Sequence, residues 1–217
     1  MTVDLAVYLV TDRDQAEAAG HDLVDLVATA ARAGVTAVQV REKEAPAGAF
    51  LATVLAVAAV LPEDVALVVN DRVDVFLAAR AAGARVAGVH VGQSDLPVDL
   101  VRRLVGPDAL VGLSAATPEE LRAAGSGPGR VDYVGIGALR ATATKPDAPT
   151  PLGVAGFARL VAASTLPAVA IGGIVPADLG PLRAAGAAGA AVVSGICAAP
   201  DPAAAAGTYA RAWADAA

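Results

Sequence analysis

Apolar residues fall along the chain in two alternating textures. Short runs rich in Val, Ile and Leu alternate with longer Ala- and Leu-rich stretches whose apolar positions recur at helical spacing, from one end to the other without a linker. This alternation predicts a repeated strand–helix unit. The strand candidates are residues 5–10, 37–40, 65–69, 86–91, 109–113, 131–136, 167–171 and 190–193, each followed by a helical stretch. Eight units in 217 residues is about 27 each, which suits a closed (β/α)8 barrel formed by one domain over residues 1–217. A doubly wound open sheet is the alternative. Several runs are apolar at nearly every position, as strands covered on both faces require.

Local signals support the element count. Thr117-Pro118-Glu119-Glu120 reads as an N-cap, a Pro in the first turn and a capping-box Glu opening the fifth helix. Gly34, Gly83, Gly125 and Gly186 each follow a helical stretch where the chain turns back, the place for a left-handed C-terminal residue. The tail, from Asp201-Pro202 to Trp213, predicts a last helix packed on the barrel, with Trp213 in the core.

Composition narrows the class. Hydrophobic residues make up 56%, charged residues 18% and aromatics 3%, so the chain has a core, built of Ala, Val and Leu. The formal charge of −6 argues against a nucleic acid or an anionic membrane as partner, since both need a basic face. The single cysteine, Cys197, has no internal disulfide partner, and the chain is read as cytoplasmic. Mean hydropathy is high at +0.58. The uncharged stretches 160–177 and 184–200 are nevertheless broken by Gly and Pro, so no transmembrane segment is expected.

Rare polar residues mark the chemistry. The chain has fourteen Arg but two Lys, Lys43 and Lys145, and both follow predicted strands. The single Asn, Asn70, ends strand three, while Gln39 and Gln93 end strands two and four. In a barrel such positions share the C-terminal rim, where active sites are built. Other readings exist for each group: Asn70 or Asp71 also suits a helix cap, Asp95 a turn, and Arg41-Glu42-Lys43 a solvated charge cluster. His90, inside an apolar strand, reads as a satisfied core histidine, and His21 as a surface residue.

Two anion sites emerge along that rim. Gly172-Gly173-Ile174 and Val193-Ser194-Gly195 follow strands seven and eight, where barrels bind phosphate through backbone N–H groups. The opposite half carries Arg41, Lys43, Asp71, Asp95, Ser114, Thr142, Thr144 and Lys145. Two aspartates among three cations suit Mg²⁺ bridging a polyphosphate whose outer oxygens meet the cations. No zinc cluster, nucleophile elbow, P-loop or complete dinucleotide fingerprint is found in the sequence.

Several segments carry a family resemblance: Tyr8-Leu9-Val10-Thr11-Asp12, Val38-Gln39-Val40-Arg41-Glu42-Lys43, Val69-Asn70-Asp71-Arg72, Gly88-Val89-His90-Val91-Gly92-Gln93-Ser94-Asp95, Thr144-Lys145-Pro146-Asp147 and Ala170-Ile171-Gly172-Gly173-Ile174. In this order they closely resemble the thiamine-phosphate synthase family over nearly the whole chain. The resemblance implies a Mg²⁺-dependent transferase that joins hydroxymethylpyrimidine diphosphate to hydroxyethylthiazole phosphate, giving thiamine monophosphate and pyrophosphate. By the same resemblance, Gln39, Arg41, Lys43, Asn70, Ser114 and Lys145 contact the pyrimidine diphosphate, and Asp71 and Asp95 hold the metal. Thr142 and Thr144 lie near the thiazole phosphate and a closing loop, while Gly173, Val193 and Ser194 form the thiazole-phosphate pocket. Arg41, Lys43, Lys145 and Ser114 are the catalytic candidates. Partners are small molecules, with a homo-oligomer possible.

Departures from the family pattern are Ala116, where a histidine is common, and Gly137-Ala138-Leu139-Arg140-Ala141, which lacks the usual proline and aromatic residues. Arg140 reads as an extra anion contact or as surface. The competing functions are a thiazole tautomerase-like barrel and a non-catalytic barrel that binds a phosphorylated ligand.

Overall fold

The computed structural model describes residues 3–141 and 151–216. Eight parallel strands close in chain order: β1 (Val7–Val10), β2 (Ala37–Val40), β3 (Ala66–Asn70), β4 (Gly88–Val91), β5 (Leu110–Ser114), β6 (Tyr133–Gly137), β7 (Ala168–Ile171) and β8 (Gly189–Val192), with β8 pairing back onto β1. The fold is a (β/α)8 barrel rather than an open sheet. Helices α1 (Arg13–Ala18) and α2 (Leu23–Arg32) follow β1, and α3 (Ala47–Val60), α4 (Val73–Ala81), α5 (Val98–Val105) and α6 (Pro118–Ser126) follow β2 to β5. The remainder are α7 (Gly153–Val161), α8 (Leu179–Ala184) after a 3-10 turn at Pro176–Asp178, the short α9 (Ser194–Cys197) and α10 (Pro202–Ala214).

Period-2 alternation sorts every strand into two cores. Val7 and Leu9, Val38 and Val40, Leu67 and Val69, and Val89 and Val91 join the large core between barrel and helices. Tyr8 and Val10, Ala37, Val68, Tyr133, Val169 and Ala191 point inward and form the smaller interior core. Both sets are out of water, which is why the runs lack the polar alternation of half-exposed strands. The two uncharged stretches flagged by hydropathy are cut into short pieces of helix, strand and turn. No helix among the described residues is long and apolar enough to cross a membrane.

Most boundary signals act as expected, and the exceptions have local causes. Thr117 Oγ1 accepts the Glu120 N–H while the Glu120 carboxylate accepts the Thr117 N–H, closing the capping box at α6. Gly34, Gly83 and Gly186 take left-handed φ of +115°, +84° and +89°. Gly125 does not end a helix: it lies inside α6, where a Cβ would collide with the Thr165 side chain. Strand β4 starts at Gly88 rather than 86, because the Val86 N–H turns back to Ala84 O. Val193 leaves β8 as the residue that caps α9. Trp213 packs partly buried on the large core, with the Arg183 guanidinium 5.5 Å from its ring. His21 is half-buried, its Nε2 2.9 Å from Ala199 O. Cys197 is buried, and burial pushes its thiol up to about 11, out of reach of thiolate chemistry.

At the N-terminal end of the barrel, one buried side chain ties two loops together. Arg102 of α5 donates to the carbonyls of Gly106, Ala109, Gly129 and Arg130 and pairs with Asp132 at 2.7 Å. Asp132 also accepts the Val111 N–H at 2.7 Å, so the guanidinium joins the ends of α5 and α6 to the starts of β5 and β6. A lysine has neither the planar fork nor the donor count to replace it. Arg102→Lys is expected to destabilise the fold by about 2–3 kcal/mol, the cost of several carbonyls left unpaired. Urea denaturation reads this, and a change within error of zero would show the clip to be dispensable.

Candidate active site

The inward positions nearest the C-terminal ends of the strands open into one cavity of about 600 Å³. Its wall includes Gln39, Arg41, Lys43, Asn70, Asp71, Asp95, Ser114, Gly173, Val193 and Ser194, so the structure gathers ten of the sequence-predicted residues around one space. Thr142, Thr144 and Lys145 lie outside the described residues.

The cationic side is built by subtraction. Within Arg41-Glu42-Lys43, Glu42 turns away and accepts two bonds from Arg13 at 2.9 and 2.7 Å, while Arg13 also donates to Thr53. Arg41 and Lys43 form no ion pair among the described residues and line the cavity. Glu42 is thus drawn inward by Arg13, while Lys43 stays exposed at the cavity mouth. The Arg41 N–H is fixed by Thr11 Oγ1 at 3.0 Å, and Thr11 is fully buried.

The acidic side is a pair. Asp71 follows β3 in a left-handed conformation, φ +59°, and its N–H donates to His90 O at 2.8 Å, which ties the end of β3 to β4. Such a backbone is uncommon for a non-glycine residue, though Asp tolerates it better than most. Neither Asn70 nor Asp71 caps α4; Arg72 holds that position without a side-chain bond. Asp95 does serve its turn, accepting the Gly92 N–H at 2.6 Å, and it also meets Asp71. Burial first, and then the Asp95 charge and hydrogen bond, push the Asp71 carboxyl up to about 6, against the pull of Asn70 and Arg41.

The floor of the cavity is polar and largely buried. Gln39, buried in β2, donates to Tyr8 Oη at 3.0 Å; Tyr8 and Tyr133 hydroxyls are 2.9 Å apart; His90 bridges Tyr133 Oη at 2.9 Å and Ser114 Oγ at 3.0 Å. Burial pushes Tyr8 up to about 12 and His90 down to about 4, the Asp95 charge opposing the latter shift. His90 is thus the satisfied core histidine expected from its strand, and it also lines the cavity. Gln93, marked by its place after strand four, donates from Nε2 to Ser114 O at 2.7 Å, whereas Tyr133 and His90 line the cavity without a candidate role in the sequence. Tyr133 carries a signal in its own strand: it shares inward parity with Gly135 and Gly137 on β6.

On the β7–β8 side of the cavity, glycines shape a tight backbone cradle. Gly172 and Gly173 take φ of +97° and +65°, and a Cβ on either would press on Ala138 or Arg140 at 2.7–2.8 Å. Among the described residues, the N–H groups of Gly173, Ser194 and Gly195 have no protein acceptor. Arg140 is not directed at the cradle but pairs with the buried Asp178, whose carboxylate also accepts the Val175 N–H. Ala116 reaches the cavity with its N–H held by Glu120 Oε2 at 2.6 Å. Among the described residues, no cluster of three His, Cys, Asp or Glu side chains suits a metal.

A (β/α)8 barrel with free cations, a carboxylate pair and open N–H groups gathered at its C-terminal mouth has the layout of a barrel enzyme that acts on small molecules. The family follows from comparison. Residues 7–196 match the model of the family described as "Thiamine monophosphate synthase", and the chain belongs to that family. It is 47% identical to the thiamine-phosphate synthase of Azorhizobium caulinodans over 199 residues, covering 91% of this chain and 90% of that one. It is 44% identical to the Vibrio campbellii thiamine-phosphate synthase over 200 residues, covering 92% and 93%. The thiamine phosphate pyrophosphorylase structure from Pyrococcus furiosus superposes with a TM-score of 0.85 at 29% identity, over 99% of this chain and 98% of that one. A 3-hexulose-6-phosphate synthase structure, at 18% identity and a TM-score of 0.69, shares the fold.

His90 and Asp71, two of the shifted groups at this site, affect stability in opposite senses. His90 is lowered from 6.5 to about 4 in the folded chain, so its contribution is complete above pH 6.5 and lost as pH falls toward 4, to about 3 kcal/mol. Asp71 is raised from 3.8 to about 6, so its contribution is present below 3.8 and lost as pH rises through 6. Asp71→Asn is therefore expected to raise the thermal midpoint at pH 7.5 without divalent cation, and to steepen the loss of stability between pH 7 and 4.5. Calorimetry at these pH values checks both, and a lowered midpoint at pH 7.5 would contradict a repulsive pair.

Proposed function

We propose that this chain condenses hydroxymethylpyrimidine diphosphate with hydroxyethylthiazole phosphate in a Mg²⁺-dependent reaction that releases pyrophosphate and forms thiamine monophosphate. The observation that carries this reading is the division of one cavity into a carboxylate–cation half and an open N–H half, a site for two different anions, in a chain of this family. Comparison with relatives named thiamine-phosphate synthase does not favour the tautomerase or the silent barrel. Ala116 also offers no acid or base for a tautomerase.

Asp71 and Asp95 fit a divalent cation, because two adjoining carboxylates that resist joint ionisation are stabilised by one. Bound there, Mg²⁺ would supply positive charge to the diphosphate. Arg41, Lys43 and Lys145 would stabilise the charge that grows on the leaving group. Gln39 would orient the pyrimidine, Asn70 and Ser114 would hold it with its diphosphate, and Gly173, Val193 and Ser194 would seat the thiazole phosphate, with Thr142 and Thr144 beside it. The bond from the pyrimidine methylene to the diphosphate oxygen breaks with its electrons on pyrophosphate, and the thiazole nitrogen lone pair forms the new C–N bond. No protein nucleophile is required. The barrel mouth contributes by holding both reactants together, which removes much of the entropic barrier.

Purified protein given both substrates is expected to release pyrophosphate and thiamine monophosphate with Mg²⁺ and not without it. Asp71→Ala should lower Mg²⁺-dependent turnover by roughly two to three orders of magnitude. Absence of product with both substrates and Mg²⁺ would refute the synthase reading, and full activity of Asp71→Ala would remove that residue from the metal site.

A further inference from the structure

The hydrogen bonds on the cavity floor form one unbroken row from β2 to β5: Gln39, Tyr8, Tyr133, His90, Ser114. Tyr8 and Tyr133 are 2% and 1% exposed, so the middle of the row is shielded, while Ser114 at its end is partly exposed to the cavity. Each hydroxyl has one proton to give, and so does a neutral imidazole, and among the described residues the Tyr8 and Tyr133 hydroxyls have no partner outside the row, so satisfying every proton aligns the bonds in one direction. Gln39 Nε2 donates to Tyr8 Oη. The Tyr8 proton then has Tyr133 Oη as its one acceptor, and the Tyr133 proton has His90 Nδ1. The ring proton falls on Nε2, facing Ser114 Oγ, and the Ser114 proton is left to point away from His90.

We infer that Tyr8, Tyr133 and His90 are positioning residues that carry the setting of the Gln39 amide across the barrel, holding His90 in its Nε2–H tautomer and presenting Ser114 as a hydrogen-bond donor to the substrate. Electrostatics favours the same direction. Asp95 acts on the His90 ring, and its loop is tied to Ser114 by Gln93, so its negative field draws N–H and O–H bonds toward the Ser114 end. Packing fixes the row in place, because a methyl group at Gly112 would collide with both Tyr133 and His90, and one at Gly135 would press on His90 at 3.3 Å.

The consequence is a linked choice of substrate groups. With Gln39 donating inward, Ser114 selects an acceptor on its ligand. Turning the amide over reverses every bond, moves the ring proton to Nδ1 and makes Ser114 an acceptor. The two ends of the cavity floor therefore recognise a pair of substrate groups rather than two independent ones. That these groups belong to the pyrimidine substrate rests on the synthase reading; the direction of the row does not.

The chain has two histidines, His21 and His90, so a long-range ¹⁵N–¹H correlation spectrum of the full-length, ligand-free protein at pH 7.5 reads the tautomer, with His21→Gln assigning the other ring. His90 is expected as Nε2–H. Gln39→Leu should lose this single form and give a mixture, and adding Gln39→Leu to Tyr133→Phe should change nothing further. A wild-type ring protonated on Nδ1, or a Gln39→Leu spectrum identical to wild type, would overturn the inference; the wild-type spectrum decides the direction even if a variant fails to fold. In turnover assays Tyr133→Phe and Ser114→Ala should be non-additive, since both remove the same donor, and fully multiplicative losses would reject the positioning role. A correct tautomer with no turnover would instead sink the synthase reading and leave the row standing.

Discussion

A parallel barrel has an interior that water does not reach, so any polar side chain placed there must find its partner there. Tyr8, Tyr133 and His90 meet that demand by bonding to one another and to Gln39 and Ser114, and the described residues contain no buried side-chain polar atom without a partner. Much else in the barrel depends on this solution. Two tyrosines and an imidazole fit only because the facing positions are reduced to Gly112, Gly135 and Ala37, which leave no room for a further side chain beside them. A chain with 3% aromatic residues thus places two of its three tyrosines where their hydroxyls define the floor of the site.

The rim above that floor and the base below it follow opposite rules. At the base, Arg102 saturates carbonyls from two neighbouring loops and closes the structure. At the rim, charges are left unsatisfied on purpose: Glu42 is taken by Arg13, which leaves Arg41 and Lys43 to the cavity, while Asp71 sits in an uncommon backbone conformation against a second carboxylate. Stability is concentrated where no ligand comes, and local strain is concentrated where one does.

The barrel was legible because strand and helix periods repeat eight times and both faces of each strand are buried, a redundancy that outweighs errors of a residue or two at any boundary. The rim was legible because rare residue types, Asn70, Lys43 and Gln39, mark strand ends in a chain otherwise poor in them. What stayed hidden depends on contacts between strands. Nothing local to Tyr133 says that its hydroxyl meets His90 from β4 and Tyr8 from β1. Gly125 was misread for the same kind of reason: its glycine answers to Thr165, distant in sequence, rather than to the end of its own helix. Arg140 is likewise a surface residue whose partner, the buried Asp178, comes from a distant part of the chain.

Ala116 shows where the site is open to change. Its N–H is held by Glu120 and its neighbour Thr117 is the N-cap of α6, so the backbone there is fixed by the helix that follows and owes nothing to the alanine side chain. A methyl group that faces the cavity from an independently anchored backbone can be exchanged without disturbing the fold. Position 116 is thus a tuning point for this barrel, where an evolving or engineered chain can add a functional group to the mouth while the strands beneath stay in register.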